Sequence, residues 1–210
     1  LGSMSDSVRE IIRQRGAKIR AGFDRIDDVA KAMAGYVANG AKYWNYTFGN
    51  EMADENTYRA SGISMSRNIT PKDITKTKAG DFVIIGGEAS DTKENIQAAD
   101  AFRASGLKVI YIGPARTEGG SGDHMPQHAD WHIDTFSPER EGVLAIPGFD
   151  RKICPVTGIL FALALWMTNA QFISHMIARN MTPGLDMGGH LIGGNGYNKD
   201  VRALVEKRGY

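Results

Sequence analysis

Cysteine is nearly missing from this chain: Cys154 stands alone among 210 residues. One thiol excludes an intrachain disulfide framework and a cysteine-built zinc site. No motif places a histidine or other base beside it, so it is not read as a nucleophile. An excess of charge is missing too. Lys and Arg total 25 against 24 for Asp and Glu, which gives no electrostatic ground for a nucleic acid or an anionic membrane as partner. The five histidines form no short metal signature. His128 and His132 are four apart but fall in a loop and a strand, with His124 upstream, rather than on one helix face, and no metal is expected. Nucleotide fingerprints are also lacking. No GxxxxGK[ST] loop occurs, and the two strand-to-loop passages read NYTFGN and GGEASD instead of GxGxxG. NAD and ATP are therefore not indicated, and no cofactor is expected. No secretory leader is read, residues 1–4 (LGSM) look like a remnant of expression, and the expected location is the cytoplasm. The most apolar run, Val156 to Ile177, holds Thr168, Asn169, Gln171, Ser174 and His175. These groups are costly in lipid, so a buried helix is expected rather than a membrane span.

What is present is a globular composition, 42% apolar, of a length suited to one domain spanning residues 5–210. Residues 5–37 carry apolar side chains at spacings of three and four, as a long N-terminal helical segment does. Gly16 and Gly22 are candidate interruptions, and Asn39-Gly40 is a stop. Residues 41–46 follow as a short strand and residues 50–59 as a helix. Residues 68–78 are polar, with Thr70 placed to cap before Pro71. DFVIIGG (81–87), an amphipathic helix over 91–104 and LKVIYIG (107–113) then form the clearest unit. Two continuous apolar strands around a helix of this length make a βαβ crossover and a parallel sheet. Further strands are expected at 129–135 and 143–146. A long apolar helix is expected over 155–179, a glycine-rich folded loop over 181–198, and a short helix over 199–207. The fold class is α/β: a doubly wound three-layer αβα sandwich with a parallel sheet of about five strands. The core spans 41–180, between the N-terminal segment (5–38) and a C-terminal loop and helix (181–210).

The order of these elements resembles the sugar isomerase (SIS) domain family, the fold of phosphoheptose isomerase and of amino-sugar phosphate isomerases and their regulators. It is most similar to the small stand-alone members. VANGAKYW resembles the family's asparagine-glycine turn and first strand. ADENTYRASG (53–62) resembles its acidic helix and the Tyr-Arg-Ala-Gly-Gly that follows. GDFVIIGGEASDTKENIQAA is similar to the second strand and second ligand loop, and GLKVIYIG to the third strand. HADWHIDT resembles the lead into a fourth strand, and GGNGYNKDVRALVEKRG the closing glycine pair and terminal helix. The loops depart from the pattern. The family's first loop, Gly-x-Gly-His-Ser or Gly-x-Gly-Gly-Ser, is here Asn45, Tyr46, Thr47, Phe48 and Gly49. Its second, Ser-x-Ser-Gly-x-Thr, is here Gly87, Glu88, Ala89, Ser90, Asp91 and Thr92. Two hydroxyl positions are lost, Thr92 remains, and Ser90 stands as a substitute.

A phosphate site needs several donors aimed at one dianion. Glu88 and Asp91 beside the helix N-terminus oppose one unless they turn away or meet a cation. Asp91 also reads as a helix cap or first-turn carboxylate, and Glu88 as a solvated loop residue. An unphosphorylated polyol, or a sugar acid held by Arg59 or His190, suits these loops better. The resemblance implies Glu55 as the base of an aldose–ketose isomerase working through an enediol-like intermediate. Glu51, Asp54 and Glu55 equally form a polar helix surface. His190, in a glycine-rich loop, and His175, on the apolar helix, are the histidine candidates, and His175 also reads as a core or interface residue. Arg59 is the candidate anion clamp, or a partner of Glu55 or Glu51 across a helix turn. Of the three tryptophans, Trp44 is placed to reach a ligand, while Trp131 and Trp166 read as core. The ligand-binding set is thus Trp44, Asn45, Tyr46, Thr47, Arg59, Gly87, Glu88, Ser90 and Thr92. A non-catalytic sugar-binding or regulatory module is the alternative function. Because the helix over 156–177 is apolar on nearly every face, it needs a cover, either residues 5–37 or a second subunit. The family's dimers and tetramers imply a homo-oligomer, in which His175 or His190 would reach a neighbour's Glu55.

Overall fold

The computed structural model describes residues 3–48, 52–57, 59–120 and 122–210. Helix α1, Met4–Ala21, starts at a reciprocal cap in which Ser3 Oγ accepts from the Asp6 amide and the Asp6 carboxylate accepts from the Ser3 amide. This satisfies two of the donors that a helix start leaves unpaired. Of the two glycines proposed as breaks, only Gly22 ends the helix. Gly16 stays helical, facing Leu163. Helix α2, Phe23–Ala38, buries Ile26, Val29, Ala30, Met33, Ala34 and Val37, the stripe its spacing predicts.

Five parallel strands follow: β1 Tyr43–Tyr46, β2 Ser66–Asn68, β3 Phe82–Gly86, β4 Lys108–Gly113 and β5 Trp131–Asp134, in the order β2-β1-β3-β4-β5. Helix α3, Met52–Thr57, joins β1 to β2, and α4, Lys93–Ala104, joins β3 to β4. β3 is buried along its whole length, as a strand covered on both faces must be. One face of the sheet, through Tyr43, Phe82, Ile84, Ile110 and Ile112, packs on α1, α2 and helix α5, Thr157–Ala178. The other, through Trp44, Tyr46, Val83, Ile85, Val109 and Tyr111, packs on α4 around Phe102. The result is the expected three-layer sandwich with five parallel strands and an N-terminal helical extension.

Two expectations at the level of elements are corrected and a third is filled in. Residues 143–146 do not join the sheet. Leu144–Ala145 (β6) pairs antiparallel with Lys152–Ile153 (β7) as a separate hairpin, because a polar turn returns the chain on itself. The polar stretch 68–78 holds the end of β2 and a 3₁₀ turn over Pro71–Lys76. The closing helix α6, Gly194–Arg208, begins five residues before 199, inside the glycine-rich segment, after Gly193 at φ 79°. α5 is long and apolar enough, by length and composition, to cross a membrane, with mean hydropathy 1.3. In this fold its face with Leu160, Phe161, Ala164, Leu165, Phe172 and Met176 is core.

Candidate functional site

A strand order of 2-1-3-4-5 has its switch point between β1 and β3, where the connections leave toward opposite faces. Open α/β sheets hold ligands outside the carboxyl ends of those strands. Here that crevice is bounded by the residues after Tyr46 and Gly86, by α3 on the α5 side and by the start of α4 on the other. The first loop touches the start of α4 through the Phe48 amide, which donates to Asn95 Oδ1 at 3.2 Å.

Glu55 is held at this crevice by two donors from different elements. Arg59 Nε donates to Oε2 at 2.8 Å, and Trp166 Nε1, from α5, donates to Oε1 at 3.1 Å. The Glu55 side chain remains 24% exposed and that of Arg59 66%. Among the described residues neither carboxylate oxygen has a second donor, which leaves each a lone pair for a ligand. Trp166 was expected to be core only. Its indole N–H orients the candidate base, a role that needed the fold to be seen.

Under α3 lies a buried amide network. Asn56 Nδ2 donates to the Tyr43 hydroxyl at 2.7 Å and to Asn45 Oδ1 at 2.8 Å, and Asn169 Nδ2 donates to Asn56 Oδ1 at 2.7 Å. Asn45 Nδ2 donates on to Thr57 Oγ1 at 3.0 Å. The network fixes a short helix to the sheet and to α5 together, and so fixes Glu55. Burial pushes the Tyr43 phenol far above its usual range, against a lowering hydrogen bond from Asn56, so it stays a neutral member of the network. The signal in sequence was Asn169, one of the polar residues in the apolar run 156–177.

Several expected ligand contacts are instead structural. Trp44 does not reach the crevice. It is buried, and its indole donates to Asp81 Oδ2 at 2.9 Å, at the opposite, amino end of the sheet. Asn45 is spent in the amide network. Tyr46 faces the α4 core, edge-on to Phe102 at 5.7 Å, rather than a ligand. Ser90, the proposed substitute hydroxyl, is fully buried, with its Oγ 3.1 Å from Thr117 Oγ1 and 2.9 Å from His124 Nδ1. A folded loop so close to α4 turns that hydroxyl inward. Gly87 is also buried. Its amide donates to the Ile112 carbonyl at 3.3 Å, and a Cβ there would lie 3.0 Å from the Tyr111 ring.

The remaining candidates line or approach the crevice. Thr47 Oγ1 donates to its neighbour's carbonyl at 2.8 Å and lies beside Gly86. Glu88 is exposed. Thr92 precedes α4 without capping it, and its hydroxyl donates to the Ala89 carbonyl at 3.1 Å. Asp91 is not the cap either. Arg140 pairs with it, which supplies the cation that its position beside a helix N-terminus called for. His175 lies outside the crevice: its Nε2 is 2.8 Å from Asp27 Oδ1, tying α5 to α2. It sits nine residues beyond Trp166, about 13 Å along the helix. His190 is exposed in the loop before α6. Gly49, Asn50, Glu51 and Tyr58 lie outside the described residues. Among the described residues no group of three metal-ligating side chains comes together.

No family model matches the chain. A UPF0309 protein of Streptomyces griseus subsp. griseus is 22% identical over 220 residues, covering 88% of this chain and 87% of the relative. Another, from Caldanaerobacter subterraneus subsp. tengcongensis, is 23% identical over 189 residues, covering 74% and 77%. Among solved structures, a phosphoheptose isomerase of Francisella tularensis is similar with TM-score 0.57 at 14% identity, over 81% of this chain and 98% of that one. The sugar isomerase domain of an RpiR transcription factor from Sphaerobacter thermophilus is similar with TM-score 0.51 at 11% identity, over 98% and 99%. The chain therefore has the sugar isomerase domain fold, as its resemblance to that family implied. Its relatives in sequence include UPF0309 proteins.

Proposed function

We propose that the protein interconverts the aldose and ketose forms of a sugar or sugar derivative in the crevice between β1 and β3. The observation that carries this reading is the Glu55 carboxylate, oriented by Trp166 and Arg59 yet partly open to solvent. A carboxylate so placed takes the proton from the carbon beside the carbonyl, leaving an enediolate. It returns that proton to the former carbonyl carbon while the hydroxyl proton passes from the oxygen of the second carbon to that of the first, so atoms and electrons balance without a redox cofactor. Arg59, with most of its guanidinium in solvent, is the group to stabilise charge on the substrate oxygens. The substrate is read as unphosphorylated. The second loop has lost two hydroxyl positions, Ser90 is buried, and the Thr92 hydroxyl already donates to a carbonyl. Such an enzyme belongs to cytoplasmic carbohydrate metabolism.

The test is solvent-proton exchange followed by NMR in heavy water, with free and phosphorylated aldoses. Exchange at the carbon beside the carbonyl is expected for at least one free sugar, and Glu55→Gln should lower its rate about a hundredfold or more. A folded protein that exchanges no sugar would overturn the reading. The internal use of the Ser90 hydroxyl also favours a second function, a sugar-binding module without chemistry. That module is the outcome if a sugar raises the melting temperature and no exchange is seen.

A further inference from the structure

We propose a second ligand site, for a small neutral polyol or sugar, at the β2 edge of the sheet. A cavity of about 350 Å³ opens there between β2, the end of α3 and α6, and its walls include Ser64, Arg67, Asp186, Arg202 and Glu206. Thr57, from α3, completes the rim. It is two positions beyond Glu55, and helix residues two apart do not face each other, so this cavity is distinct from the Glu55 crevice.

The cavity is built by a short antiparallel bridge between Ile63 and Leu185. The Ser64 amide donates to the Gly184 carbonyl at 3.1 Å, and the Asp186 amide donates to the Gly62 carbonyl at 3.0 Å. Alternation in such a ladder puts Ser64 and Asp186 on one face. Each stands opposite a glycine, so no side chain closes the space between them. A Cβ at Gly184 would lie 2.4 Å from Ser64 Oγ, which keeps that position open.

Two atoms in these walls are unsatisfied. Ser64 Oγ and Asp186 Oδ1 are buried without a hydrogen-bond partner among the described residues. Asp186 is only 7% exposed. A carboxylate oxygen in that position needs a donor from outside the chain. The charges say what kind of molecule supplies it. Arg202 already pairs with Asp186 Oδ2 at 3.0 Å, and Arg67 with Glu206 at 3.4 Å. Both cations are matched by anions, so no surplus charge attracts a phosphate or a carboxylate. Neighbouring hydroxyls fit: one donates to Asp186 Oδ1 and the next exchanges a hydrogen bond with Ser64 Oγ. The volume lies within the range of small-molecule sites.

The experiment is saturation-transfer NMR and titration calorimetry on the full chain with glycerol, erythritol, xylitol and glucose 6-phosphate. At least one neutral polyol is expected to bind saturably and more tightly than the phosphorylated sugar. Asp186→Asn and Ser64→Val should each weaken that binding about tenfold or more. Glu55→Gln should leave it within about twofold, since the side chains that Glu55 bonds, Arg59 and Trp166, do not line this cavity. Ser64→Val keeps the Asp186–Arg202 pair and serves alone if Asp186→Asn fails to fold. The proposal is overturned if no polyol saturates at its highest soluble concentration, or if glucose 6-phosphate binds better. It is equally overturned if binding survives Ser64→Val or is lost in Glu55→Gln. That last result would assign the polyol to the crevice, so this site and the isomerase reading fail separately.

Discussion

At Asn56 three hydrogen bonds meet, to the Tyr43 hydroxyl, to Asn45 Oδ1 and from Asn169 Nδ2. Asn56→Ala leaves Asn45 Oδ1 and Asn169 Nδ2 buried and unpaired, while the Tyr43 hydroxyl keeps its bond to Asn169 Oδ1, and each unpaired group costs about 1–3 kcal/mol with incomplete additivity. A loss of about 3 kcal/mol or more is expected in urea unfolding, and a loss below about 1 kcal/mol would show that the network carries little of the stability of α3. His132 offers a second test at this scale. Burial holds its imidazole below the ordinary value of 6.5, against the raising effects of the Gly113 carbonyl and Asp134, while Arg25 lowers it further. The folded state thus disfavours the charged ring. Its contribution is complete above about 6.5 and is lost as pH falls toward the folded value, because the unfolded chain takes up the proton first. Melting temperature measured from pH 7 to 5 should fall more steeply for the wild type than for His132→Phe, and parallel slopes would contradict the assignment. The family resemblance had pointed to Glu55 and residue type to Arg59, and their pairing across one helix turn was legible. The burial of Ser90 and the orientation of Trp44 were not, because each depends on a partner remote in sequence: His124 or Thr117 for one, Asp81 for the other.

Among the elements, β3 and β4 were legible because they are covered on both faces and read as unbroken apolar runs. β2 was not. Ser66, Arg67 and Asn68 carry no apolar pattern, and only pairing with β1 makes them a strand. The start of α6 was obscured for a related reason. Gly194 and Gly196 are poor helix formers, yet the turn at Gly193 and the buried Val205 commit the segment to a helix. Where β3 meets α5, packing is close enough to be tested. A Cβ at Gly86 would lie 2.7 and 2.9 Å from Cε2 and Cζ of Phe161, which is itself buried. Gly86→Ala is expected to destabilise the protein by about 1–3 kcal/mol through overpacking. Phe161→Leu should recover part of that cost in a double-mutant cycle. Simple additivity of the two substitutions would mean that the strand end and the helix are not in contact as described.

For the whole molecule, α5 decides what the fold leaves uncovered. α1, α2 and the sheet take most of its surface, but Ile159 is 53% exposed, Leu163 38% and Ile177 59%. Ala170 and Ser174 are exposed as well. Spacings of 4, 7, 4 and 3 between these positions place them on one stripe. Two of its five members are small, so a partner helix can approach closely along the middle while the isoleucines close the ends. A stripe of this kind, continuous over five turns, is better buried than solvated. Self-association through α5 is therefore expected. His175 is engaged with Asp27, which leaves His190 as the histidine free to act beyond its own subunit. Sedimentation equilibrium should give a mass well above the 22.9 kDa of one chain, falling toward it on dilution. Ile159→Lys together with Ile177→Lys should yield the monomer without loss of fold, since both side chains are already in solvent in the single chain. A mass of 22.9 kDa at every concentration of the wild type would leave the α5 stripe exposed and confine each site to one chain.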